Sequence, residues 1–212
     1  MTESRVHINP VLKPDRPLYR IFQYPRFIQA LDEKELALVT PGIWPDPDED
    51  PMAKVVLEHD VAGRTKQHPL SEYLSPCWAQ CWSDAADSDV LLRAYSILNS
   101  DAEGPERTEN EGVRVKTTVR SLTEVMTTWA EAMPEHHFYL GQVLYDAPTA
   151  FPQSLINRLS GPAAHHCFSS PHGRADSMLT KRSIFKHEEE VRILAIESYC
   201  ARRGAQSTEI EI

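Results

Sequence analysis

The chain of 212 residues contains no apolar run near the roughly 18 residues that a membrane-spanning helix needs. Its opening, Met1-Thr-Glu-Ser-Arg5, lacks the charged-then-apolar pattern of a secretory leader. These two absences lead to the expectation of a cytoplasmic protein that does not engage a membrane. Cysteine is scarce: Cys77, Cys81, Cys167 and Cys200 are too few to form a disulfide scaffold in a chain this long, and are expected as small buried thiols. Basic residues are outnumbered, and the net charge of -9 argues against a general basic surface for duplex DNA or anionic lipid. Any polyanion must therefore meet a confined site.

Several motifs are also missing. The chain has no Walker sequence, no Gly-x-Gly-x-x-Gly and no Gly-x-Ser-x-Gly, which weakens the NTPase, Rossmann and hydrolase classes. No Cys-x-x-Cys or His-Glu-x-x-His accompanies His136-His137 or the His165, His166, Cys167, His172 group, so no metal site is expected. Adjacent histidines in a strand point to opposite faces and do not share an ion easily. No internal repeat is visible, which disfavours a solenoid.

What is present is an unusual segment, Phe185-Lys-His-Glu-Glu-Glu-Val-Arg-Ile193. Read as a strand, it places Glu188, Glu190 and Arg192 on one face and Val191, Ile193 and Ala195 on the other. Two fixed carboxylates near a sugar carbon stabilise the oxocarbenium-like transition state of N-glycosidic cleavage more than the ground state. Glu-x-Glu also occurs at Glu33/Glu35, Glu109/Glu111 and Glu209/Glu211. A solvated strand edge with a Glu190 to Arg192 neighbour pair is the bland alternative.

With 41% apolar and 25% charged residues, one compact domain over 18–200 is the default, with an N-terminal arm over 1–17 and a flexible tail over 201–212. Leu18 to Phe22 reads as a strand, Phe27, Ile28 and Leu31 as a helical turn, and Glu35 to Val39 as a second strand. The proline-rich, acidic stretch Pro41 to Pro51 forms either an ordered loop pinned by Trp44 or a mobile flap. Met52 to His59 suggests a short helix and Pro76 to Trp82 a strand, followed by a helix capped by Asp87 or Ser88 and carrying Leu91, Leu92, Tyr95 and Leu98. Asp101 to Gly112 is a surface loop and Gly112 to Thr117 a strand. A capping box at Ser121 to Glu124 opens a helix with Leu122, Val125, Met126, Trp129 and Met133. Phe138 to Tyr145 is a strand, Ser154 to Leu159 part of a helix, and the carboxylate strand runs to about Ile196.

Taken in order, several of these segments resemble the bacterial family catalogued as domain of unknown function 2971. The residues that carry the likeness are Leu18-Tyr19-Arg20, the loop Val39 to Pro47, Cys81-Trp82-Ser83, Tyr95, Gly112-Val113, and the closing block from Lys181 through Phe185 to Glu188-Glu189-Glu190-Val191-Arg192. The pattern departs at Leu92, where the family usually carries a tryptophan. Its layout is similar to that of the ADP-ribosyltransferase superfamily, and the resemblance implies an α+β fold of small split mixed or antiparallel sheets flanked by helices. It further implies NAD as substrate, with Arg20 on the phosphates and Ser83 near the nicotinamide ribose. Glu190 would bond the ribose hydroxyl and Glu188 would orient the acceptor, with Tyr19, Tyr95 and Arg192 completing the binding set. The acceptor would be a macromolecule, protein or nucleic acid, in a toxin or phage-defence effector that an antitoxin or other partner protein could restrain.

The same residues also have structural alternatives. Arg20 could form a surface ion pair, Ser83 could turn or cap the chain, and Tyr19, Trp44 and Tyr95 could be core aromatics. A catalytically inactive nucleotide- or partner-binding module of the same fold is the alternative function, and the Leu92 departure favours it.

Overall fold

A computed structural model of the chain describes residues 4–44, 46, 48–61, 64–96, 111–147, 150, 157 and 170–198. The C-terminal strand Glu190–Glu197 is the centre of the architecture, with every residue but the last buried. The strands, in chain order, are β1 (Val6–Ile8), β2 (Pro17–Gln23), β3 (Val56–Val61), β4 (Arg64–Pro69), β5 (Cys77–Ser83), β6 (Gly112–Thr118), β7 (His136–Gln142), β8 (Leu144–Asp146), β9 (Thr180–Arg182) and β10 (Glu190–Glu197). A six-stranded mixed sheet has the order β1-β7-β10-β5-β2-β6, antiparallel throughout except for the parallel β1–β7 edge. Two small two-stranded sheets, β3–β4 and β8–β9, lie outside it.

Among the described residues the helices are α1 (Tyr24–Glu33), α2 (Asp89–Tyr95), α3 (Val119–Ala132) and α4 (Pro171–Met178). Because side chains alternate along β10, Val191, Ile193 and Ala195 face α3, where Val119, Leu122, Met126 and Ala130 recur at helical spacing and complete the main core. Leu194 and Ile196 face the other way, against Ala175 and Met178 of α4. Burying each of these large aliphatic side chains contributes roughly 1.5 to 3 kcal/mol. Three helices begin at hydroxyl caps: Ser88 for α2, Thr118 for α3 and Ser170 for α4.

The sheet is weakly joined at one place. Seven residue pairs link β10 to β5 and seven link β2 to β6, but only Tyr19 and Ser83 pair across β2 and β5. Beyond that pair Val39 takes the place beside β5, exchanging backbone hydrogen bonds of 3.0 and 2.8 Å with Ala79. The chain is thus α+β, as expected, but in place of two separate small sheets it has one six-stranded sheet opened at the β2–β5 joint.

Other local expectations need correction. Residues 4–17 are not a loose arm: Val6, His7 and Ile8 pair with Phe138, Tyr139 and Leu140, and Leu12 is buried in the core. Glu35 to Val39 supplies only the bridge at Val39. Met52 to His59 divides into a 3-10 turn (Pro51–Lys54) and β3. The cap of α3 is Thr118, one turn before the expected Ser121, because β6 runs directly into the helix. The loop at 101–110, the helix at 154–159 (apart from Asn157), His165, His166, Cys167, Cys200 and the tail lie outside the described residues. Among the described residues no helix is long and apolar enough to cross a membrane.

Candidate active site

A cleft of about 860 Å³ opens where β2 and β5 part company. Tyr19 and Arg20 come from β2, Ser83 from the end of β5, Tyr95 from α2, and Glu188 and Glu190 from the approach to β10 and its first residue. All six were singled out in the sequence, and all six line this one cavity. Trp44, Glu49, Lys181 and Phe185 complete its acidic side.

The carboxylate segment is not one continuous strand. Ser183–Glu188 is a 3-10 helix and Glu189 adopts the left-handed region (φ 43°) before β10 starts at Glu190. This turn lets Glu188 and Glu190 approach the same ammonium from different elements. Lys181 Nζ stands 2.7 Å from Glu188 Oε2, 3.2 Å from Glu190 Oε2 and 2.7 Å from Glu49 Oε1.

Arg192 corrects the sequence reading. It shares the Glu190 face of β10, as alternation requires, but is fully buried and does not line the cleft. Its Nε donates to Glu190 Oε1 at 2.8 Å, its Nη1 to the Met178 carbonyl at 2.7 Å, and its Nη2 pairs with Glu49. The guanidinium also lies 5.1 Å from the centre of the Trp44 ring. A side chain so enclosed orients Glu190 and cannot reach a ligand.

Burial by itself would push the Glu190 carboxyl up, but Arg192 and Lys181 outweigh it and hold the group down at about 2. Glu190 is therefore an ionised carboxylate only 3% exposed. Glu188 behaves differently: burial raises it, Glu190 and Glu49 add to that, and Lys181 opposes them. Two neighbouring acids with proton affinities pushed in opposite directions can take different roles.

Across the cleft, burial lowers the proton affinity of Arg20, whose Nη1 donates to the Cys81 carbonyl at 2.5 Å. Its Nε is buried without a hydrogen-bond partner, and among the described residues no carboxylate lies within ion-pair distance of it. An incompletely satisfied guanidinium lining a cavity favours an anionic ligand.

The acidic loop is ordered at its described positions, and Trp44 alone does not pin it. Asp46 pairs with Arg182 at 2.8 Å, Glu49 with Lys181 and Arg192, and Asp50 with Arg174. The sequence showed the loop's acidity and prolines but not its partners, because the matching cations lie more than a hundred residues away. Glu49 is the functional candidate that sequence reasoning missed, since no local spacing marks it; Lys181 heads the closing block of the resemblance but is given no role there.

His136 packs beside Trp78 while His137 stacks toward His7, on opposite faces of β7. Among the described residues no group of three His, Cys, Asp or Glu side chains is placed to hold a metal ion. Burial pushes the Cys77 thiol up to about 12 and the Cys81 thiol also well above its ordinary value, so both remain protonated.

Comparison of the chain with family models, curated proteins and solved structures gives no match.

Proposed function

We propose that the protein is an ADP-ribosyltransferase-like enzyme that cleaves the nicotinamide glycosidic bond of NAD and transfers ADP-ribose to a macromolecular acceptor. The observation that carries this reading is the pairing, in one cleft, of an under-satisfied Arg20 with a buried, ionised Glu190. Arg20 takes the pyrophosphate, since a guanidinium fork matches phosphate oxygens. Tyr19 and Tyr95 flank a ring, and Ser83 holds the turn beneath the sugar.

Glu190 accepts from the ribose hydroxyl and its charge steadies the electron-poor sugar carbon. The carbon–nitrogen bond breaks with its electron pair going to nicotinamide, which leaves neutral. The acceptor's nucleophilic atom then bonds to the same carbon, and its proton passes to Glu188. A toxin or phage-defence role, with an antitoxin as partner, fits this chemistry.

A second reading, a silent nucleotide- or partner-binding module, is favoured by one feature. Both oxygens of Glu190 already accept from Arg192 or Lys181, which leaves less capacity for a substrate hydroxyl. Leu92, 42% exposed at the cleft, adds to this.

Incubation with NAD labelled in nicotinamide separates the two. The enzyme releases nicotinamide, and Glu190→Ala lowers kcat on the order of a hundredfold or more. Binding without release, insensitive to that substitution, points to the module.

A further inference from the structure

The strand β9 is three residues long, yet its central residue Lys181 is only 6% exposed and meets carboxylates from three separate parts of the chain. An ammonium has three N–H donors, and here each has its own acid: Glu49 from the loop, Glu188 from the 3-10 turn and Glu190 from β10. Arg192 closes the arrangement from below, joining Glu190 and Glu49. Three acids thus share two cations, and Glu49 competes with Glu188 for Lys181.

We infer that Lys181 is a positioning residue that fixes Glu188 and Glu190 in a single geometry and keeps Glu188 charged, and that Glu49 is its counterweight. The inference rests on the reading of this cleft as an ADP-ribosyl-transfer site, in which Glu188 must be ionised to accept the acceptor's proton. Among the described residues Lys181 is the one cation within ion-pair distance of Glu188, whereas Arg192 also engages Glu190 and Glu49, so Glu188 depends most on Lys181 for its charge.

The neighbouring groups leave few other sources of titration. Tyr95 from α2 and Tyr145 from β8 also face Glu188, and burial raises both phenols, so they stay neutral through the range of interest. Arg182, next in sequence to Lys181, is engaged by Asp46 and Asp48.

Two substitutions then move Glu188 in opposite directions. Lys181→Met leaves three acids with Arg192 alone, and repulsion makes Glu188 protonate at a pH higher by about one unit or more. Glu49→Gln frees the ammonium for the remaining pair, and Glu188 holds its charge to lower pH. Loss of packing alone would not produce shifts of opposite sign.

The test follows the Glu188 carboxyl by carbon-13 NMR titration in full-length protein, assigned by the signal missing in Glu188→Gln. The acid limb of kcat/KM for NAD should move with the same signs. If Lys181→Met does not fold, Glu49→Gln decides alone, through a lowered midpoint. Shifts in the same direction, or no shift in Glu49→Gln, overturn the inference. Opposite shifts in a protein that releases no nicotinamide sustain it and overturn the enzymatic reading instead.

Discussion

The Ser83 hydroxyl donates to the carbonyl oxygen of Glu188 at 2.6 Å, tying the end of β5 to the turn that carries both candidate carboxylates. The Ser83 hydroxyl oxygen in turn accepts from the Ala85 N–H at 3.0 Å, and the Asp84 N–H donates to the Glu189 carbonyl at 2.9 Å. Ser83 therefore acts on the backbone that aims Glu188 and Glu190. Ser83→Ala should cost about 1 to 2 kcal/mol in urea denaturation, because it leaves polar groups unpaired. It should also lower kcat more than it raises KM; an unchanged kcat would separate Ser83 from the turn's function.

Arg20 should behave as a binding residue. Arg20→Met removes an unpartnered Nε and one hydrogen bond, from Nη1 to the Cys81 carbonyl, so the fold should lose about 1 kcal/mol. Affinity for NAD should fall roughly tenfold to a hundredfold, the size of one charge-assisted hydrogen bond. Titration calorimetry measures this, and equal affinity in both proteins would remove Arg20 from the proposed phosphate contact.

Glu190 gives the fold a specific acid sensitivity. Its value near 2 lies below the ordinary 4.5, with burial opposing the shift and Arg192 and Lys181 driving it. A depressed carboxyl stabilises the fold above its unfolded value, and the contribution is lost as pH falls through the folded one. Between about pH 4.5 and 2 the wild type should lose about 3 kcal/mol more than Glu190→Gln. Parallel acid unfolding of the two proteins would contradict the burial of an ionised Glu190.

Glu189 sits in the left-handed region at φ 43° with an exposed side chain. That conformation costs an L-residue about 1 kcal/mol or more that glycine does not incur. Glu189→Gly should therefore raise the thermal midpoint, and a lower midpoint would mean that the side chain contributes more than the strain costs.

Gly141 faces Arg192 across β7 and β10, and a Cβ there would stand 2.3 Å from Leu179 Cδ1. Gly141→Ala should cost about 1 to 3 kcal/mol through the displaced Leu179, two residues before Lys181. Adding Leu179→Ala should recover part of the loss in a double-mutant cycle, whereas simple additivity would locate the cost elsewhere.

The sequence by itself determined the elements that depend on short-range pattern. The Leu122 and Met126 spacing marks α3, Asp87 or Ser88 marks the start of α2, where the structure selects Ser88, and alternation separates Val191 and Ile193 from Glu190 and Arg192. It also picked out six residues that line one cavity, because their types suit charge recognition and aromatic contact. Tertiary structure decided the partners. The capture of Glu49 by Lys181 and Arg192, the enclosure of Arg192, and the single Tyr19–Ser83 pair that opens the sheet all join residues far apart in the chain. A charged residue shows its sign in the sequence, but its worth is set by burial and by the opposite charge it meets, and both exist only after distant strands have packed.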